Sequence, residues 1–331
     1  MAQTHIRKGT FMHRLTDGSF QVGSVAEHTV MFNDLTAREV EWIKSLRAEE
    51  SAQERRTRRI ADEPKVNLTE RQVEILALLS AAGLLGPDED PLSRLRIRVV
   101  GLDRVGVLLA RLLARSGVRR LELRDTTRVD SAVEDYFSDD AKGLIKDRHL
   151  RKEFRERYGL VSGRLSNPDL VISCNSRVWD HADAGLLLSQ DLNHLPITVD
   201  DRSIRVGPLI APGTTACAVC VDMHLRDRAP AWAETHLALE RHDPVVPSHA
   251  LAMSAAGLAV NMVDSIARGI PLMPPQPASP ETSAGPVASP GSMPSYSWRI
   301  TPSGVETEVW FAHPECACTA RTPQLPAERA S

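Results

Sequence analysis

Residues 96–118 read RIRVVGLDRVGVLLARLLARSGV, and this stretch decides the fold class. Ile97 to Val100 is a short run rich in β-branched residues that enters Gly101, and apolar residues then recur at helical spacing until Gly117. The run predicts a buried strand, and the apolar period predicts a helix that begins just after the glycine turn. A strand, a tight turn and a helix in this order indicate an α/β domain.

The chain after this unit continues to alternate between predicted strands and helices. Leu121 to Leu123, Leu170 to Ser173 and Ile197 to Val199 have the character of further buried strands. A long helix from about Ser248 to Arg268 is rich in Ala, Leu, Met and Val, so we expect it to be largely buried. Near the end, Thr301 to Gly304 is a turn signal that predicts a hairpin. The alternation of strands and helices predicts a mainly parallel sheet.

The first part of the chain predicts a separate, smaller module. Asp17 to Ser19 is a turn signal between two short apolar stretches, which predicts a hairpin, and Thr29 to Phe32 supplies a third strand. Capping boxes open two predicted helices, one at Thr36 and one at Thr69. Three short strands with these helices predict a winged-helix-like α+β module over residues 1–88.

Residues 89–320 form the predicted α/β domain, and three segments outside regular structure stand out. Residues 47–65 are dense in Glu and Arg, which indicates a solvated helix extension or a mobile connector. Residues 271–294 are dominated by Pro, Ser and Ala and predict a disordered loop. We expect the last residues, 321–331, to be a disordered tail.

Charge and hydropathy exclude several classes of function. The formal net charge is only -3, so no overall electrostatic field attracts nucleic acid or an anionic membrane. Neither a hydrophobic run of about 18 residues nor a signal segment is evident, and the residues before Phe11 are polar and basic. We therefore expect a cytoplasmic protein without a membrane or nucleic-acid partner.

Four of the five cysteines stand in two close pairs. Cys217 and Cys220 form a CxxC pair, and Cys316 and Cys318 form a CxC pair next to the predicted hairpin. Four thiolates satisfy a closed tetrahedral zinc site. Because the two cysteine pairs are far apart in the chain, binding of one ion by both pairs would also stabilise the folded state. The sequence predicts a structural zinc ion here; reduced, unliganded thiols or a redox CxxC are the alternatives.

Two further groups have a structural and a catalytic interpretation. Cys174 lies in an apolar strand region, which favours a buried thiol over a catalytic one. The polar residues after the CxxC pair suggest acid–base catalysis at first sight, but a polar collar with Arg–Asp pairing beside the metal is the favoured interpretation. These residues are Asp222, His224, Arg226, Asp227 and Arg228.

The strand, the turn from Gly101 to Gly106 and the helix up to Val118 resemble the nucleotide-binding turn of the ThiF/MoeB/E1 superfamily. The two cysteine pairs fit the same superfamily. The resemblance implies a Rossmann-like E1/ThiF domain that adenylates the C-terminal carboxylate of a small protein or peptide with ATP and magnesium. It also implies an ATP site at Gly101, Gly106 and Asp125, although Asp125 is equally consistent with a turn residue at a strand end.

A narrower resemblance covers most of the chain. Gly207-Pro208, the segment from Pro212 to Trp232 and the closing residues His313 to Cys318 are similar to the "ocin-ThiF" proteins. These are degenerate E1-like partners of YcaO cyclodehydratases, which make azole and azoline peptides. Their N-terminal winged-helix element recognises a leader peptide, and Leu15 to Leu46 resembles it. The resemblance implies a precursor peptide and a YcaO-type enzyme as partners, and a homodimer.

Departures from the active E1 pattern argue against catalysis. Asp103 and Arg104 stand where that superfamily has a run of glycines, and an aspartate that faces a triphosphate is electrostatically unfavourable. The Asn-x-x-Arg-Gln cluster, which supplies charge to the phosphates in that superfamily, is not recognisable in residues 133–140. Asn175 or Ser176 occupies the position of the magnesium-binding aspartate, so magnesium loses its principal hard ligand. We expect little or no adenylation.

Three hypotheses for the function follow. The first is a pseudo-E1 scaffold whose N-terminal module holds a peptide as an added strand and presents it to a partner enzyme, unless this module merely dimerises or packs on the main domain. The second is an active adenylyltransferase, and the third, a nicotinamide-dependent enzyme, is remote. In the first, the peptide-binding residues are on the third strand and the following helix: His28, Val30, Phe32, Val40 and Ile43.

Overall fold

A computed structural model describes residues 5–7, 9–24, 28–46, 68–86, 91–160, 163–272 and 293–319. The chain divides into two compact units, Met1–Asp90 and Pro91–Ser331. The predicted connector at 47–65 and the tail at 321–331 lie outside the described residues, as does the predicted loop at 271–294 except for its first two and last two residues.

The N-terminal unit contains two small antiparallel sheets. Its strands are β1 (His5–Ile6), β2 (Met12–Arg14), β3 (Phe20–Val22), β4 (Val30–Phe32) and β5 (Leu85–Gly86). Strands β2, β3 and β4 lie side by side in that order, while β1 pairs with β5. In the turn before β3, Asp17 Oδ1 accepts hydrogen bonds from the Ser19 amide and hydroxyl at 2.9 and 2.6 Å. The predicted hairpin and third strand are both present.

Two helices complete this unit, and both begin at the predicted capping boxes. Helix α1 (Ala37–Ser45) is capped by Thr36, and α2 (Glu70–Ala81) is capped by Thr69. The unit has its own core, built from apolar residues of both helices and of the strands, among them Ile6, Phe20, Phe32, Ile43, Ile75 and Leu79. The architecture is α+β, and its winged-helix-like character stays a prediction.

The second unit is built on a seven-stranded sheet. Its first elements are β6 (Arg96–Val100), α3 (Arg104–Arg115), β7 (Arg120–Arg124), α4 (Lys146–Tyr158), β8 (Leu170–Ser176), α5 (His181–Ser189), β9 (His194–Val199) and β10 (Ile204–Val206). The later elements are α6 (Ala218–Arg228), α7 (Trp232–Leu239), α8 (His249–Ala267), β11 (Ser295–Thr301) and β12 (Gly304–Trp310).

The strand order in this sheet is β12-β11-β10-β9-β8-β6-β7. Strands β7, β6, β8 and β9 are parallel, and each connection between parallel neighbours contains a helix. The parallel block predicted from the alternation of strands and helices is therefore confirmed. The antiparallel strands β10, β11 and β12 extend one edge, and β11 with β12 is the predicted hairpin. The sequence interpretation missed β10.

Helix α8 covers the sheet together with α3. Its buried face is lined mainly by small residues, Ala252, Ala255, Ala256 and Ala259 among them, which let the helix approach its neighbours closely. Among the described residues, α8 is the helix whose length and mean hydropathy of 1.5 would allow it to cross a membrane. Its packing in the main core, with the strands and α3, accounts for this apolar character.

Candidate functional site

The four paired cysteines come together at one point of the second unit. Cys217 precedes α6 and Cys220 lies in its first turn, while Cys316 and Cys318 follow β12. The Sγ atom of Cys217 lies 3.7 Å from those of Cys220 and Cys316, and the Sγ atoms of Cys220 and Cys318 are 3.3 Å apart. Sulfurs bound at about 2.3 Å around a tetrahedral zinc ion are about 3.8 Å apart. The cluster can therefore hold one metal ion.

The surroundings of the cluster hold it in place. Hydrogen bonds among the four thiols couple their titration: they lower the pKa of Cys220 and Cys316 and raise the pKa of Cys217 and Cys318. Apolar residues enclose the pair on α6, and Trp310 at the end of β12 is fully buried against them. Helix α6 and the C-terminal hairpin are thus joined through this cluster.

The polar residues after the CxxC pair form ion pairs and structural hydrogen bonds beside the cysteines. Asp227 accepts a hydrogen bond from Arg226 at 3.1 Å and lies 2.9 Å from His313, whose hydrogen bond lowers the pKa of this carboxyl. Arg226 also donates to Glu315 at 3.1 Å. The ring of His224 is hydrogen-bonded to the Phe311 carbonyl at 3.0 Å. His224, Arg226 and Asp227 thus make the contacts expected of a polar collar, including the predicted Arg–Asp pairing, whereas Asp222 contacts Trp179 and His181 instead.

The glycine turn after β6 is packed tightly against β8. Gly101 has a φ of +81°, and a Cβ atom at this position would lie 2.5 Å from the Cys174 carbonyl oxygen. A Cβ atom on Gly106 would lie 2.0 Å from the Gly101 carbonyl oxygen. Both glycines are needed for the close approach of the turn, α3 and β8. Burial raises the pKa of Cys174 well above its usual value, as expected for an unreactive thiol.

Asp103 is the N-cap residue of α3. Its Oδ1 accepts a 2.8 Å hydrogen bond from the Gly106 amide, so a carboxylate already occupies the end of the helix where a phosphate would otherwise bind. Arg104, the next residue, points its guanidinium into the protein, where it donates to the carbonyls of Pro247 at 2.6 Å and Ala132 at 3.2 Å. Both residues are engaged in intramolecular contacts.

Asp125, at the end of β7, uses both carboxylate oxygens within the protein. Oδ2 accepts a hydrogen bond from the Leu102 amide at 2.7 Å, and Oδ1 accepts from the amide and hydroxyl of Thr127 at 2.8 and 2.6 Å. The buried ammonium of Lys146 lies 4.0 Å from Oδ2 and was missed in the sequence, because a lysine at a helix start carries no pattern of its own. These bonds match the interpretation of Asp125 as a turn residue at a strand end.

The two candidate magnesium positions hold backbone atoms together. The side-chain nitrogen Nδ2 of Asn175 donates to the backbone carbonyls of Ser173 at 3.0 Å and Ile197 at 3.3 Å. The Ser176 hydroxyl oxygen accepts from the Val245 amide at 2.8 Å. Neither side chain offers a carboxylate, which is the ligand that magnesium prefers.

The predicted peptide-binding residues differ widely in exposure. His28 is exposed and Val30 is half-buried. Phe32, Val40 and Ile43 are only 4%, 5% and 0% exposed, because they belong to the core of the N-terminal unit. Met31, between Val30 and Phe32, is 45% exposed and was not among the candidates. Alternation along β4 puts its side chain on the outer face.

Comparisons with known proteins relate the chain to solved structures. No family model and no curated protein matches it. A crystal structure of E. coli MccB with ATP has 14% sequence identity and a TM-score of 0.57, and covers 96% of this chain and 99% of that one. The microcin C7 biosynthetic enzyme MccB in complex with N-formylated MccA has 13% identity and a TM-score of 0.57, with coverages of 95% and 99%.

A third solved structure, that of PaaA, has 13% identity and a TM-score of 0.52, and it covers 91% of this chain and 97% of that one. MccB is an E1-like protein of the ThiF/MoeB type. At these identities the likeness is one of fold, and it extends over both units. The chain therefore shares the fold of MccB, which agrees with the fold that the resemblance of its Gly101 turn and its cysteine pairs implied.

Proposed function

We propose that this protein is a zinc-containing, E1-like peptide-binding scaffold that presents a precursor peptide to a partner modifying enzyme of the YcaO type. The observation that carries the proposal is the edge strand β4 of the N-terminal unit, which pairs only with β3 among the described residues. The fold of MccB, which has been solved with MccA peptide, supports a peptide as the ligand. The resemblance to the ocin-ThiF proteins supports the YcaO-type partner.

Strand β4 has the chemistry that binding of an extended peptide requires. An unpaired strand edge presents backbone N–H and C=O groups to an incoming strand, while neighbouring side chains select its residues. His28 and Met31 are the exposed candidates along this segment. Phe32, Val40 and Ile43 act in the proposal as the core that holds β4 and α1 in position, because their side chains have almost no accessible surface.

The glycine turn after β6 and the residues around it support a scaffold rather than an independent enzyme. The carboxylate of Asp103 occupies the N-terminus of α3, and both oxygens of Asp125 accept hydrogen bonds from protein groups. A bound triphosphate would have to displace the first carboxylate or tolerate its charge. A ribose would have to compete with the Leu102 and Thr127 groups for the Asp125 carboxylate. Residues 175 and 176 offer no carboxylate for magnesium.

The test is a binding measurement on the full chain with fluorescently labelled short precursor peptides encoded beside its gene, without nucleotide. We expect saturable binding that Met31→Asp weakens at least about tenfold, since it replaces the exposed apolar side chain of β4 with a charged one. His13→Asp, on the opposite edge strand β2, is the matched control and leaves binding unchanged. Loss of binding in the β2 variant alone would contradict the assignment to β4.

An active adenylyltransferase is the alternative, and the Lys146 ammonium favours it. This buried cation lies near Asp103 and Asp125, where it could bind a phosphate group if Asp103 moved or were protonated. ATP and magnesium would then be cofactors. ATP–pyrophosphate exchange with the same precursor peptides decides between the two functions. The scaffold predicts peptide binding without exchange, whereas exchange above background would establish the enzyme.

Zinc, the partner enzyme, the oligomeric state and the location complete the proposal. The four cysteines would hold zinc as a structural ion that joins α6 to the C-terminal hairpin. Co-purification with a YcaO-type enzyme from the same gene neighbourhood tests the partner, and light scattering tests the predicted homodimer. A cytoplasmic location stays a prediction that a fluorescent fusion in the native cell would check.

A further inference from the structure

A second cluster of metal-binding side chains lies on α5, α6 and α7, and the proposed function does not use it. His181 is the first residue of α5, and Asp222 lies on α6 beyond the CxxC pair. His236 lies on α7, and Glu240 directly follows that helix. One potential ligand atom from each of His181, His236 and Glu240 lies within 4.8 Å of the others.

His236 is the buried centre of this cluster. Its ring is only 3% exposed, and neither ring nitrogen has a hydrogen-bond partner within the described part of the chain. Nδ1 lies 3.6 Å from Asp222 Oδ1 and Nε2 lies 3.3 Å from Glu240 Oε1, but neither contact has hydrogen-bond geometry. A buried imidazole in this condition loses its hydration without compensation, which is unfavourable. A ligand that uses these nitrogens would remove this penalty.

The separation of His236 Nε2 and Glu240 Oε1 matches two ligands of one cation. A nitrogen and an oxygen bound to the same tetrahedral ion at about 2.1 Å are about 3.4 Å apart, and their lone pairs point to the ion rather than to each other. The observed separation is 3.3 Å, and the off-axis contact agrees with this arrangement.

Asp222 has the position of an outer-shell carboxylate for His181. Its oxygens accept hydrogen bonds from the indoles of Trp179 at 2.8 Å and Trp232 at 2.9 Å, so the carboxylate is rigidly held. His181 Nε2 lies 2.6 Å from Oδ2, whereas His236 Nδ1 lies 3.6 Å from Oδ1 without hydrogen-bond geometry. Metal-binding histidines commonly donate their second ring nitrogen to a carboxylate, as His181 Nε2 is placed to do. Nδ1 is then the nitrogen that His181 has left for a metal ion.

The two imidazole rings are also stacked, with centroids 4.2 Å apart and planes at 18°. The carboxylates of Asp222 and Glu240 supply the negative charge that a bound dication requires. A metal ion lies close to the plane of each imidazole that binds it, so the partly exposed His181 ring has to turn out of this stack when both rings bind one ion.

We propose that His181, His236 and Glu240 bind a divalent transition-metal ion of the zinc class, with Asp222 orienting His181. Two imidazoles and one carboxylate suit such an ion, and three protein ligands leave a fourth position open to water or to a donor group of a bound molecule. This site is chemically distinct from the four-cysteine cluster, because it contains no sulfur.

The experiment uses the full chain, first loaded with one equivalent of zinc to fill the four-cysteine cluster, and then titrated with Co²⁺. We expect a further equivalent of cobalt with weak visible d–d bands and without sulfur-to-cobalt charge transfer, because its ligands are nitrogen and oxygen. Inductively coupled plasma mass spectrometry gives the metal-to-protein ratio in each sample. Circular dichroism checks that every variant is folded.

Glu240→Gln and His181→Ala are the test variants, since both side chains are partly exposed and His236 is needed in the core. We expect each to weaken cobalt binding at least about tenfold, because even the loss of an outer-shell partner costs roughly 10–100-fold in metal affinity. Glu234→Gln on the same helix and His242→Ala beyond it are matched controls that bind as the wild type does. No additional equivalent in the wild type, or wild-type affinity in both test variants, would overturn the proposal.

Discussion

The Asp103 carboxylate caps α3 by accepting a 2.8 Å hydrogen bond from the amide of Gly106. This bond satisfies a free N–H group of the first helical turn, and it puts a negative charge where the superfamily resemblance implies a phosphate. The Gly106 amide therefore has a structural partner, the Asp103 carboxylate, in place of a phosphate group. The same relationship makes the carboxylate sensitive to pH.

The first prediction concerns this pH dependence. Burial raises the pKa of Asp103 from 3.8 to about 6, in spite of the hydrogen bond from Gly106. Between these values the folded state binds more protons than the unfolded state, so the contribution of Asp103 to stability falls as the pH rises. We expect Asp103→Asn, which keeps the cap, to gain up to about 3 kcal/mol relative to the wild type between pH 4 and 7.

Urea unfolding of both proteins at several pH values measures this difference. Partial exposure of the carboxyl to solvent makes the stated magnitude an upper value. A difference in unfolding free energy that is the same at pH 4 and pH 7 would contradict the raised pKa of this group.

The second prediction concerns removal of the proposed zinc ion. Cys220→Ser takes away one buried thiolate, and we expect it to lower the free energy of unfolding by at least about 3 kcal/mol, since structural zinc binding contributes about 10–16 kcal/mol in small domains. The melting temperature should fall by roughly 6–12 °C. The charge-transfer band of the cobalt-substituted protein reports the site directly. Cys174→Ala is the control, and it should retain the band.

The third prediction concerns the ion pair between Arg98 and Glu122 on adjacent parallel strands. The pair is buried, with 2.9 Å between Arg98 Nε and Glu122 Oε2, and Glu122 also accepts from the Leu165 amide at 2.9 Å. Glu122→Ala should destabilise the protein by about 3–5 kcal/mol, because it leaves a buried guanidinium without its counter-ion. The double variant Arg98→Met/Glu122→Leu should recover most of this loss in chemical denaturation. A double variant less stable than the single one would refute this account.

The fourth prediction concerns the glycine turn. Gly101→Ala forces a side chain into a left-handed backbone and puts its Cβ 2.5 Å from the Cys174 carbonyl oxygen. We expect a loss of about 2–5 kcal/mol, the sum of the backbone and overpacking penalties. Gly185→Ala on α5 is the control: a Cβ there meets no atom within 4 Å among the described residues, so the variant should be stabilised by about 0.5–1 kcal/mol. Differential scanning calorimetry measures both.

Local sequence signals predicted most of the regular structure, because those signals act over a few residues. The capping boxes at Thr36 and Thr69 begin α1 and α2, and the Asp17 turn precedes β3. The β-branched run before Gly101 is β6, one of the two inner strands of the parallel block. Strand β10 escaped notice because three residues are too few to establish a period of two.

Burial within the N-terminal unit followed from packing and was not evident in the sequence. Val40 and Ile43 were expected to contact a peptide, yet their side chains lie in the core with Phe32. An apolar position on a helix is equally suited to a core and to a groove. Only the arrangement of neighbouring elements decides which of the two it faces.

The sequence by itself determined the strand–turn–helix unit at Gly101 and the two cysteine pairs, because neighbouring residues share one local geometry. The tertiary structure alone decided that Asp103 caps α3 inward, and that His181, Asp222 and His236 meet. His181 and Asp222 are 41 residues apart in the chain, and only the packing of α5, α6 and α7 brings them together. Distance along the chain does not predict distance in space, because the packing of the core decides which distant residues meet. The chemistry of that cluster is therefore a property of the fold.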